Sequence, residues 1–443
     1  MLGFATMSKS VQTPPSQNPP FWYQLLLALL LPLYRLRVWQ RSGSQLDYQA
    51  EVVERFVVKP VAKNQQVIWI HAVSVGETNA AQPVIAYFLK QGKAVLVTNT
   101  TRTGQAQAKK LFADDYPEIF EAVFLPLDTV PLIWQFLQRY QPQLFILIET
   151  ELWPNALALT HQAGLPSILL NARLSARSAK GYGKFSRLTR PMLAQLSCIA
   201  AQDQDTAQRF IALGANKNKV VVTGSIKFDI QPPEHVLQQA EQLKQDWQLQ
   251  QRPVLVVASS HDPEEAEILA QFPLLLRQHP DALLIIVPRH PERFDRVAEL
   301  IEKNGFALFR RSQQQIIQPQ TQVYLADSMG ELWLWYAVAT LAFVGGSLSH
   351  TGGHNPLEAV RLCVPVVMGP HTFNFKLIVE MLVQAGALIQ VDDASQLMQT
   401  WQRWLTQPQL ANAASRAAHQ VMQANQGALA RQLELITQLQ QPS

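Results

Sequence analysis

The feature that most constrains this chain is the regular alternation of short, β-branched apolar runs with stretches of helical periodicity. Before residue 226 the apolar runs are VIWIHAV, AVLVTNT, AVFLPL, LFILIE, SILLNA, CIAAQ and VVVTGS. Most of them are separated by roughly 20 to 30 residues, which is the spacing of βα units in a doubly wound parallel sheet. The first half of the chain therefore predicts an α/β domain with seven parallel strands.

A second series of apolar runs follows: VLVVAS, LLIIVP, ALFRR, QVYLAD, LAFVGG, VPVVMG and LIQVD. It predicts a second Rossmann-like sheet of similar size. The polar, Gln-rich residues 231–252 between the two series predict a linker helix. We therefore expect an N-terminal domain at 46–230 and a C-terminal domain at 253–443 that includes the last helices. Ligands of open α/β sheets bind beyond the carboxyl ends of the strands, so we expect the two sheets to face a central cleft.

The amino-terminal segment differs from the rest. Residues 1–20 are rich in Ser, Pro and Gln and are predicted to be disordered, and either Met1 or Met7 could be the start. Residues 21–45 contain an apolar run that is shorter than the roughly 20 residues of a spanning helix, flanked by aromatic residues and followed by arginines. This pattern predicts a membrane anchor, spanning or interfacial, with the protein on the cytoplasmic side. A core helix of the first domain is the alternative.

Composition excludes some classes of partner and site. A formal net charge of +4 with 16% charged residues does not indicate nucleic acid, but it suits anionic lipid or an acidic substrate. Two cysteines are too few for a zinc site or a disulfide framework. The D-x-D pair, Asp203 and Asp205, stands where a helix should begin, so capping explains it. We expect no metal and no cofactor.

Glu77 lies in HAVSVGET, directly after the first apolar run, where a buried strand gives way to a helix. One interpretation is a capping box, because Ser74 precedes Glu77 by three residues and each side chain can bond a backbone N–H at the helix start. The other is a general base at a strand end. The local pattern fits both interpretations.

Acidic residues also follow the strand LFILIE, where Glu149 and Glu151 stand beside Trp153 in ETELWPN. A carboxylate next to a buried aromatic ring is desolvated and needs a partner, which favours function over acids that merely stabilise a helix amino terminus. Basic residues follow later strands of the same domain, namely Arg173, Arg177 and Lys227. The strand ends of the first domain thus offer acids and bases together.

The second domain has three segments with site-like residues. VPRHPERF ends one strand, and DSMGELW follows another. The third, FVGGSLSHTGGHNPLEAV, contains glycines whose backbone N–H groups can face an anion, and a glutamate, Glu358, that could bind ribose hydroxyls. These features predict a nucleotide site that is neither a Walker loop nor a GxGxxG fingerprint. A glycine-rich turn with a capped helix is the alternative for the third segment.

Taken in order, HAVSVGET, ETELWPN, NARLSARS, GSIKFD, PRHPERF, MGEL and GGHNPLEA resemble the bacterial 3-deoxy-D-manno-octulosonic acid (Kdo) transferases of lipopolysaccharide biosynthesis. The resemblance covers nearly the whole chain. It implies a GT-B glycosyltransferase of the inner membrane of a Gram-negative bacterium. It also implies transfer of Kdo from CMP-Kdo to the lipid A precursor lipid IVA, with inversion and without a metal.

Carried over position by position, the resemblance assigns site residues. Glu77 would be the proton acceptor, and Glu149 and Lys227 would stabilise the transition state. The contacts with CMP would be made by Pro288, Arg289, Met329, Gly330, Glu331, Asn355, Pro356, Leu357 and Glu358. The stretch SLSHT before Gly352 departs from the family pattern and leaves Ser349 and His350 without an implied role.

Two other functions remain open at the level of sequence. One is a GT-B protein that uses a UDP-sugar, including an epimerase of that fold. The other is a membrane-tethered nucleotide- or glycan-binding protein whose acidic residues only cap helices.

Overall fold

The structure is a computed structural model that describes residues 19–42, 44–56 and 66–441. The predicted disorder of residues 1–20 therefore falls almost wholly outside the described residues. The chain divides into two compact units: unit 1 comprises residues 1–226 and 427–443, and unit 2 comprises residues 227–426. Each unit is built on one parallel sheet covered by helices.

The strands of unit 1 are β1 (Val67–His71), β2 (Ala94–Asn99), β3 (Phe120–Phe124), β4 (Pro142–Ile148), β5 (Ser167–Ala172), β6 (Cys198–Ala201) and β7 (Val220–Val222). They form one sheet in the order β3-β2-β1-β4-β5-β6-β7. All seven predicted strands are thus present. The central β1 pairs in parallel with both β2 and β4, and all its residues are buried, as expected for a strand covered on both faces.

The helices before unit 2 are α1 (Phe21–Arg41), α2 (Gln45–Phe56), α3 (Val75–Lys90), α4 (Arg102–Phe112), α5 (Val130–Tyr140), α6 (Pro154–Gln162), α7 (Ala176–Lys184), α8 (Ser186–Gln195) and α9 (Gln204–Ala212). Helix α1 is long and apolar enough to cross a membrane, and little of it is buried. Asp203 is the N-cap of helix α9, and its carboxylate accepts the Thr206 N–H at 2.6 Å. This bond confirms the capping interpretation of the D-x-D pair.

The strands of unit 2 are β8 (Val254–Ser260), β9 (Leu283–Pro288), β10 (Val323–Leu325), β11 (Leu341–Val344), β12 (Val366–Met368) and β13 (Leu388–Gln390). They form a parallel sheet in the order β10-β9-β8-β11-β12-β13. The helices that follow β7 are α10 (Glu234–Asp246), α11 (Glu264–Leu276), α12 (Phe294–Lys303), α13 (Leu332–Val338), α14 (Leu357–Arg361), α15 (Lys376–Gln384), α16 (Ala394–Thr406), α17 (Pro408–Asn425) and α18 (Ala428–Gln440).

The prediction that ALFRR forms a strand is wrong. Residues 307–311 are a loop that contributes one isolated bridge, from Arg310 to Leu325. The run has only three apolar residues, and its two arginines are held by ion pairs with Asp327 and Glu331 rather than by a strand ladder. Short apolar runs of this kind do not distinguish a strand from a packed loop.

The unit boundaries differ from the expected domain boundaries in two places. Helix α10, expected as a linker at 231–252, belongs to unit 2, where Ala240 is fully buried in the core. Helix α18, expected in the C-terminal domain, packs on unit 1 instead. Its buried Gln432 accepts the Asn171 N–H at 3.1 Å and donates to the Thr223 hydroxyl at 3.0 Å. These bonds satisfy backbone and hydroxyl groups at the ends of β5 and β7.

Candidate functional site

Glu77 lies in the first turn of α3, just beyond the carboxyl end of β1. Its side chain folds back, so that Oε2 accepts the Val73 N–H at 2.7 Å and Oε1 accepts the Ser74 hydroxyl at 3.2 Å. The Ser74 hydroxyl in turn accepts the Glu77 N–H at 3.5 Å. The carboxylate therefore takes part in a reciprocal capping arrangement, as the sequence indicated, while it stays at the strand end.

The turn after β4 brings further acids to the same edge of the sheet, because β1 and β4 are parallel neighbours. Glu149 has a left-handed backbone, with φ +63°, and its N–H and C=O bond Leu170 and Arg173 at the end of β5. Such a conformation is costly for a residue other than glycine and is concentrated at functional sites. Thr150 adds a hydroxyl bond to the Arg173 carbonyl. The two adjacent strand ends are thus fastened together around Glu149.

A buried histidine joins the β1 and β4 ends. The indole N–H of Trp153 donates to Nε2 of His71 at 3.0 Å, and Nδ1 of His71 lies 2.9 Å from the hydroxyl of Thr98. Since an indole only donates, Nε2 must be unprotonated and Nδ1 must carry the proton. Burial lowers the pKa of His71 to about 3, so this tautomer is neutral throughout the physiological range.

Burial also raises the pKa values of two acids at this edge of the sheet, Glu77 and Glu151. Desolvation raises the pKa of Glu77 to about 7; the Val73 N–H opposes the rise, and the charges of Glu151 and Glu149 add to it. Desolvation likewise raises the pKa of Glu151 to about 7, with a further rise from Glu149 and an opposing interaction with Trp153. Two half-buried carboxyls that hold protons near neutral pH are suited to proton transfer.

Lys227 comes from the other unit of the chain. It is the first residue of unit 2 and lies half-buried in a 3-10 turn, Ile226–Asp229, whose Phe228 is packed in the unit 2 core. Unit 1 itself holds Glu77, Glu149, Glu151 and the backbone of Arg173 at one sheet edge. The roles assigned by resemblance to Glu77, Glu149 and Lys227 remain predictions.

In unit 2, all the predicted CMP contacts lie at the carboxyl edge of the sheet. Pro288 ends β9 and Arg289 follows it, and the Arg289 N–H bonds the Ser260 carbonyl at the end of the adjacent β8 at 3.1 Å. Met329, Gly330 and Glu331 follow β10; Asn355, Pro356, Leu357 and Glu358 come after β11, at the start of α14. The sheet therefore gathers three segments that are far apart in sequence.

Glu331 and Glu358 have opposite electrostatic environments. Arg311 donates two hydrogen bonds to Glu331, at 2.6 and 3.0 Å. Although burial raises the pKa of Glu331, the bonds from Arg311 and Ser328 outweigh it, and the pKa lies below its ordinary value. Burial raises the pKa of Glu358 to about 7, opposed only by a hydrogen bond with Asn355. Glu358 is thus the acid whose charge is poorly compensated.

The glycine-rich loop after β11 differs from the expectation that its backbone N–H groups face a ligand anion. The N–H groups of residues 346 to 349 all donate to the fully buried Glu264, at 2.8 to 3.2 Å. The His261 N–H donates to the same carboxylate at 2.9 Å. The anion that these N–H groups bind is therefore the carboxylate of Glu264. Sequence reasoning missed Glu264 because it lies some 80 residues before the loop that it organises.

A histidine pair lies between the end of β8 and the same loop. Nε2 of His261 is 2.8 Å from Nε2 of His354, and the two rings are stacked with centroids 5.0 Å apart. Burial lowers the pKa of His354 to about 4, and the neighbouring His261, Arg289 and His290 lower it further. The pair adds hydrogen-bonding capacity beside Arg289 that no sequence motif had indicated.

Among the described residues, no group of three or more His, Cys, Asp or Glu side chains is arranged to hold a metal ion. Residues 50–230 match the model of the 3-deoxy-D-manno-octulosonic-acid transferase (kdotransferase) family, and residues 241–421 match that of glycosyl transferases group 1. A 3-deoxy-D-manno-octulosonic acid transferase from Haemophilus influenzae is 39% identical over 94% of this chain and 97% of its own length. The chain belongs to the Kdo transferase family.

Two solved structures extend the comparison. The C-terminal CMP-Kdo binding domain of WaaA from Acinetobacter baumannii is 45% identical, with a TM-score of 0.42, and covers 43% of this chain and all of its own. A glycosyltransferase from Rickettsia africae has a TM-score of 0.53 at 14% identity and covers 86% of this chain and all of its own, a likeness of fold alone. The two parallel-sheet units are those of a GT-B glycosyltransferase, and the protein has the Kdo transferase activity of lipopolysaccharide biosynthesis.

Proposed function

We propose that this enzyme transfers Kdo from CMP-Kdo to lipid IVA with inversion of configuration and without a metal ion, and that Glu77 is the base. The observation that carries the proposal is the position of Glu77: it lies at the carboxyl end of the central strand of unit 1, half-buried, with a pKa raised to about 7 by burial. A carboxylate of that basicity is a far better proton acceptor than an exposed one.

In the proposed reaction, Glu77 accepts the proton of the attacking hydroxyl of lipid IVA. The hydroxyl oxygen forms a bond to the anomeric carbon of Kdo, while the bond from that carbon to the phosphate oxygen breaks and its electron pair leaves with CMP. The transition state has oxocarbenium character, as in other glycosyl transfers. Glu149 and Lys227, as the family resemblance implies, stabilise the charges that develop.

The donor site is proposed for the strand ends of unit 2. Arg289 is exposed at the end of β9, where a guanidinium suits a phosphate. Gly330 has φ +87°, a backbone conformation that lets residues 329 to 331 approach a ligand closely. Glu358 would accept hydrogen bonds from the ribose hydroxyls. The 45% sequence identity with a domain named for CMP-Kdo binding supports this donor.

The membrane is the proposed location, on the cytoplasmic side of the inner membrane. One side of α1 packs on unit 1, with Val38 buried and the Arg41 carbonyl bonded by Arg102 at 2.8 Å. The other side is apolar and uncovered: Leu25, Leu29 and Leu33 are 51%, 66% and 62% exposed. A helix that packs along its length and presents leucines outward is suited to lying in the bilayer interface rather than spanning it.

Incubation of the full-length protein with CMP-Kdo and lipid IVA, followed by mass spectrometry of the lipid, tests the proposal and counts the Kdo residues added. We expect Kdo-bearing lipid with and without EDTA. Absence of product from a folded protein would contradict the substrate assignment, and loss of product with EDTA alone would contradict metal independence. Protection from thermal unfolding by UDP rather than CMP would instead favour a UDP-sugar donor.

A further inference from the structure

Glu151 is an acid of the site to which the family resemblance gives no role. It stands two residues after Glu149, at the β4 end of the sheet edge that carries Glu77. Its side chain is half-buried. Desolvating a carboxylate costs free energy, so its placement among other acids calls for an explanation.

The structure holds Glu151 in place through Trp153 and His71. Glu151 stands between two fixed points of this turn: the Glu149 backbone bonds Leu170 and Arg173, and the Trp153 indole N–H bonds His71 at 3.0 Å. His71 is immobilised in turn by Thr98, whose hydroxyl also accepts the indole N–H of Trp69 at 2.8 Å. These contacts tie the turn after β4 to strands β1 and β2, so Glu151 lies in a turn that is held against the strand that precedes Glu77.

We propose that Glu151 is a positioning residue whose carboxylate, held near Glu77 by Trp153 and His71, strengthens Glu77 as a proton acceptor. The inference rests on the proposed function, because it needs Glu77 to be the base. A second negative charge nearby disfavours the ionised form of Glu77. Glu77 therefore binds the proton of the acceptor hydroxyl more strongly once the reaction begins.

Other titratable groups lie near this pair. The negative charge of Glu149 raises the pKa of both Glu77 and Glu151. Tyr182 of α7 donates its hydroxyl to the Thr150 carbonyl at 3.3 Å, and burial and then the charge of Glu151 raise its pKa. Tyr182 has its pKa raised by burial above the ordinary value of 10.0, so it stays neutral below pH 9. His71 stays neutral as well, whereas Glu77 and Glu151 each have a pKa of about 7.

The test is the pH dependence of kcat/KM for Glu151→Gln, measured with CMP-Kdo and lipid IVA from pH 5 to 9. We expect the acidic limb to move to lower pH by roughly half a unit or more, and the rate on the alkaline plateau to fall, because Glu77 becomes a weaker base. A purely structural role would lower the rate at every pH without moving the limb. Glu151→Asp keeps the charge and should keep the limb close to that of the unaltered enzyme.

Glu118→Gln is the matched control. It removes the same charge from an exposed position just before β3, at the opposite edge of the same parallel sheet, and should leave the profile unchanged. A limb for Glu151→Gln that coincides with that of the unaltered enzyme would overturn the inference, as would loss of transfer at all pH values in a folded variant. Glu77→Gln, assayed in parallel, separates the two proposals: if it still transfers Kdo, the base assignment itself has failed.

Discussion

At the scale of single residues, Glu77 serves two purposes that first looked like alternatives. It caps α3 through Val73 and Ser74, and it is also a half-buried acid with a pKa raised to about 7. The capping bonds are made by the charged form of Glu77. They therefore hold the carboxylate in place and reduce the increase in its pKa that burial causes. A local sequence pattern could not have separated the two roles, because the same geometry provides both.

The rate of transfer should follow the ionisation of Glu77. With a pKa of about 7, roughly a tenth of Glu77 is ionised at pH 6 and nine-tenths at pH 8. Because the base must be unprotonated to accept a proton, we expect kcat/KM to rise about tenfold between these values. Initial rates in buffers of constant ionic strength measure this. A flat profile between pH 5.5 and 8.5 would contradict the assignment.

Glu358 predicts a pH-dependent change in stability. Its folded-state pKa, about 7, lies above the unfolded value, so its contribution to stability is complete below about pH 4.5 and is lost as the pH rises through 7. We therefore expect Glu358→Gln to raise the Tm relative to the unaltered protein at pH 8 and to change it little at pH 5. Thermal unfolding at the two pH values measures the difference.

Glu331→Gln is the matched control for Glu358→Gln. Its pKa is lowered, so its ionised form stabilises the folded state above the unfolded pKa, and this stability is lost as the pH falls through the folded pKa. Removing the charge should therefore lower the Tm at pH 8, the opposite direction. Equal Tm changes for Glu358→Gln at pH 5 and pH 8 would argue against a poorly compensated charge at Glu358.

Sequence reasoning at this scale found residues at strand ends but not the residues that hold them. Glu149 and Arg289 were identified because each directly follows an apolar run, and Glu77 because it lies in the turn after one. Glu264, by contrast, acts on a loop far along the chain, and the His71 contact with Trp153 spans 82 positions. Such pairings depend on which strands are neighbours, and an isolated sequence does not contain that order explicitly.

At the scale of secondary-structure elements, α1 is fastened to unit 1 by polar contacts at its first turn. The Tyr23 hydroxyl donates to the buried Asp128 at 2.8 Å, and Gln24 donates to Asn155 at 2.5 Å. Asp128 also accepts the N–H groups of Asn155 and Ala156, which begin the helix after ETELW. Helix α1 and the start of α6 therefore share one buried acid, Asp128.

Tyr23→Phe tests this attachment. The substitution leaves Asp128 with one hydrogen-bond donor fewer in a buried position, so we expect a loss of stability of about 1 to 3 kcal/mol and a lower Tm. Tyr34→Phe is the matched control, since it removes a hydroxyl from the same helix that has no hydrogen-bond partner among the described residues. Equal effects of the two variants in thermal unfolding would show that the Asp128 contact contributes nothing specific.

Most elements were predictable from sequence, and the exception has a physical cause. All thirteen strands come from predicted apolar runs, and only the fourteenth run, ALFRR, does not form a strand. ALFRR forms a loop instead of a strand, and its two arginines are held there by ion pairs with Asp327 and Glu331. The strand β7 shows the opposite case, since two of its three valines are exposed and it is nonetheless paired with β6.

At the scale of the whole molecule, the two α/β units could be predicted from the period of the sequence, but their boundaries could not. Helix α18 joins unit 1 through the apolar side chain of Ile436 in the unit 1 core and through the buried amide of Gln432, one glutamine among many in the C-terminal stretch. Nothing in its local sequence marks it as a contact for Asn171. Periodicity defines elements, whereas the unit to which a terminal helix belongs is decided by a few specific contacts.

The outward face of α1 predicts how the whole protein associates with membranes. Replacing Leu29 and Leu33 together by glutamate puts two charges on a face that is apolar and uncovered. We expect much weaker co-sedimentation with anionic phospholipid vesicles and an unchanged Tm, since neither side chain is buried in unit 1. Unchanged vesicle binding would show that another surface holds the protein at the membrane.

In the proposed reaction, unit 1 supplies the base and unit 2 binds the nucleotide. The most direct test measures Kdo transfer to lipid IVA and CMP affinity on the same preparation of Glu77→Gln. We predict that transfer falls by a factor of about 100 or more, as expected for loss of a general base, while CMP affinity and Tm stay close to those of the unaltered enzyme. Near-normal transfer by this variant would contradict the account.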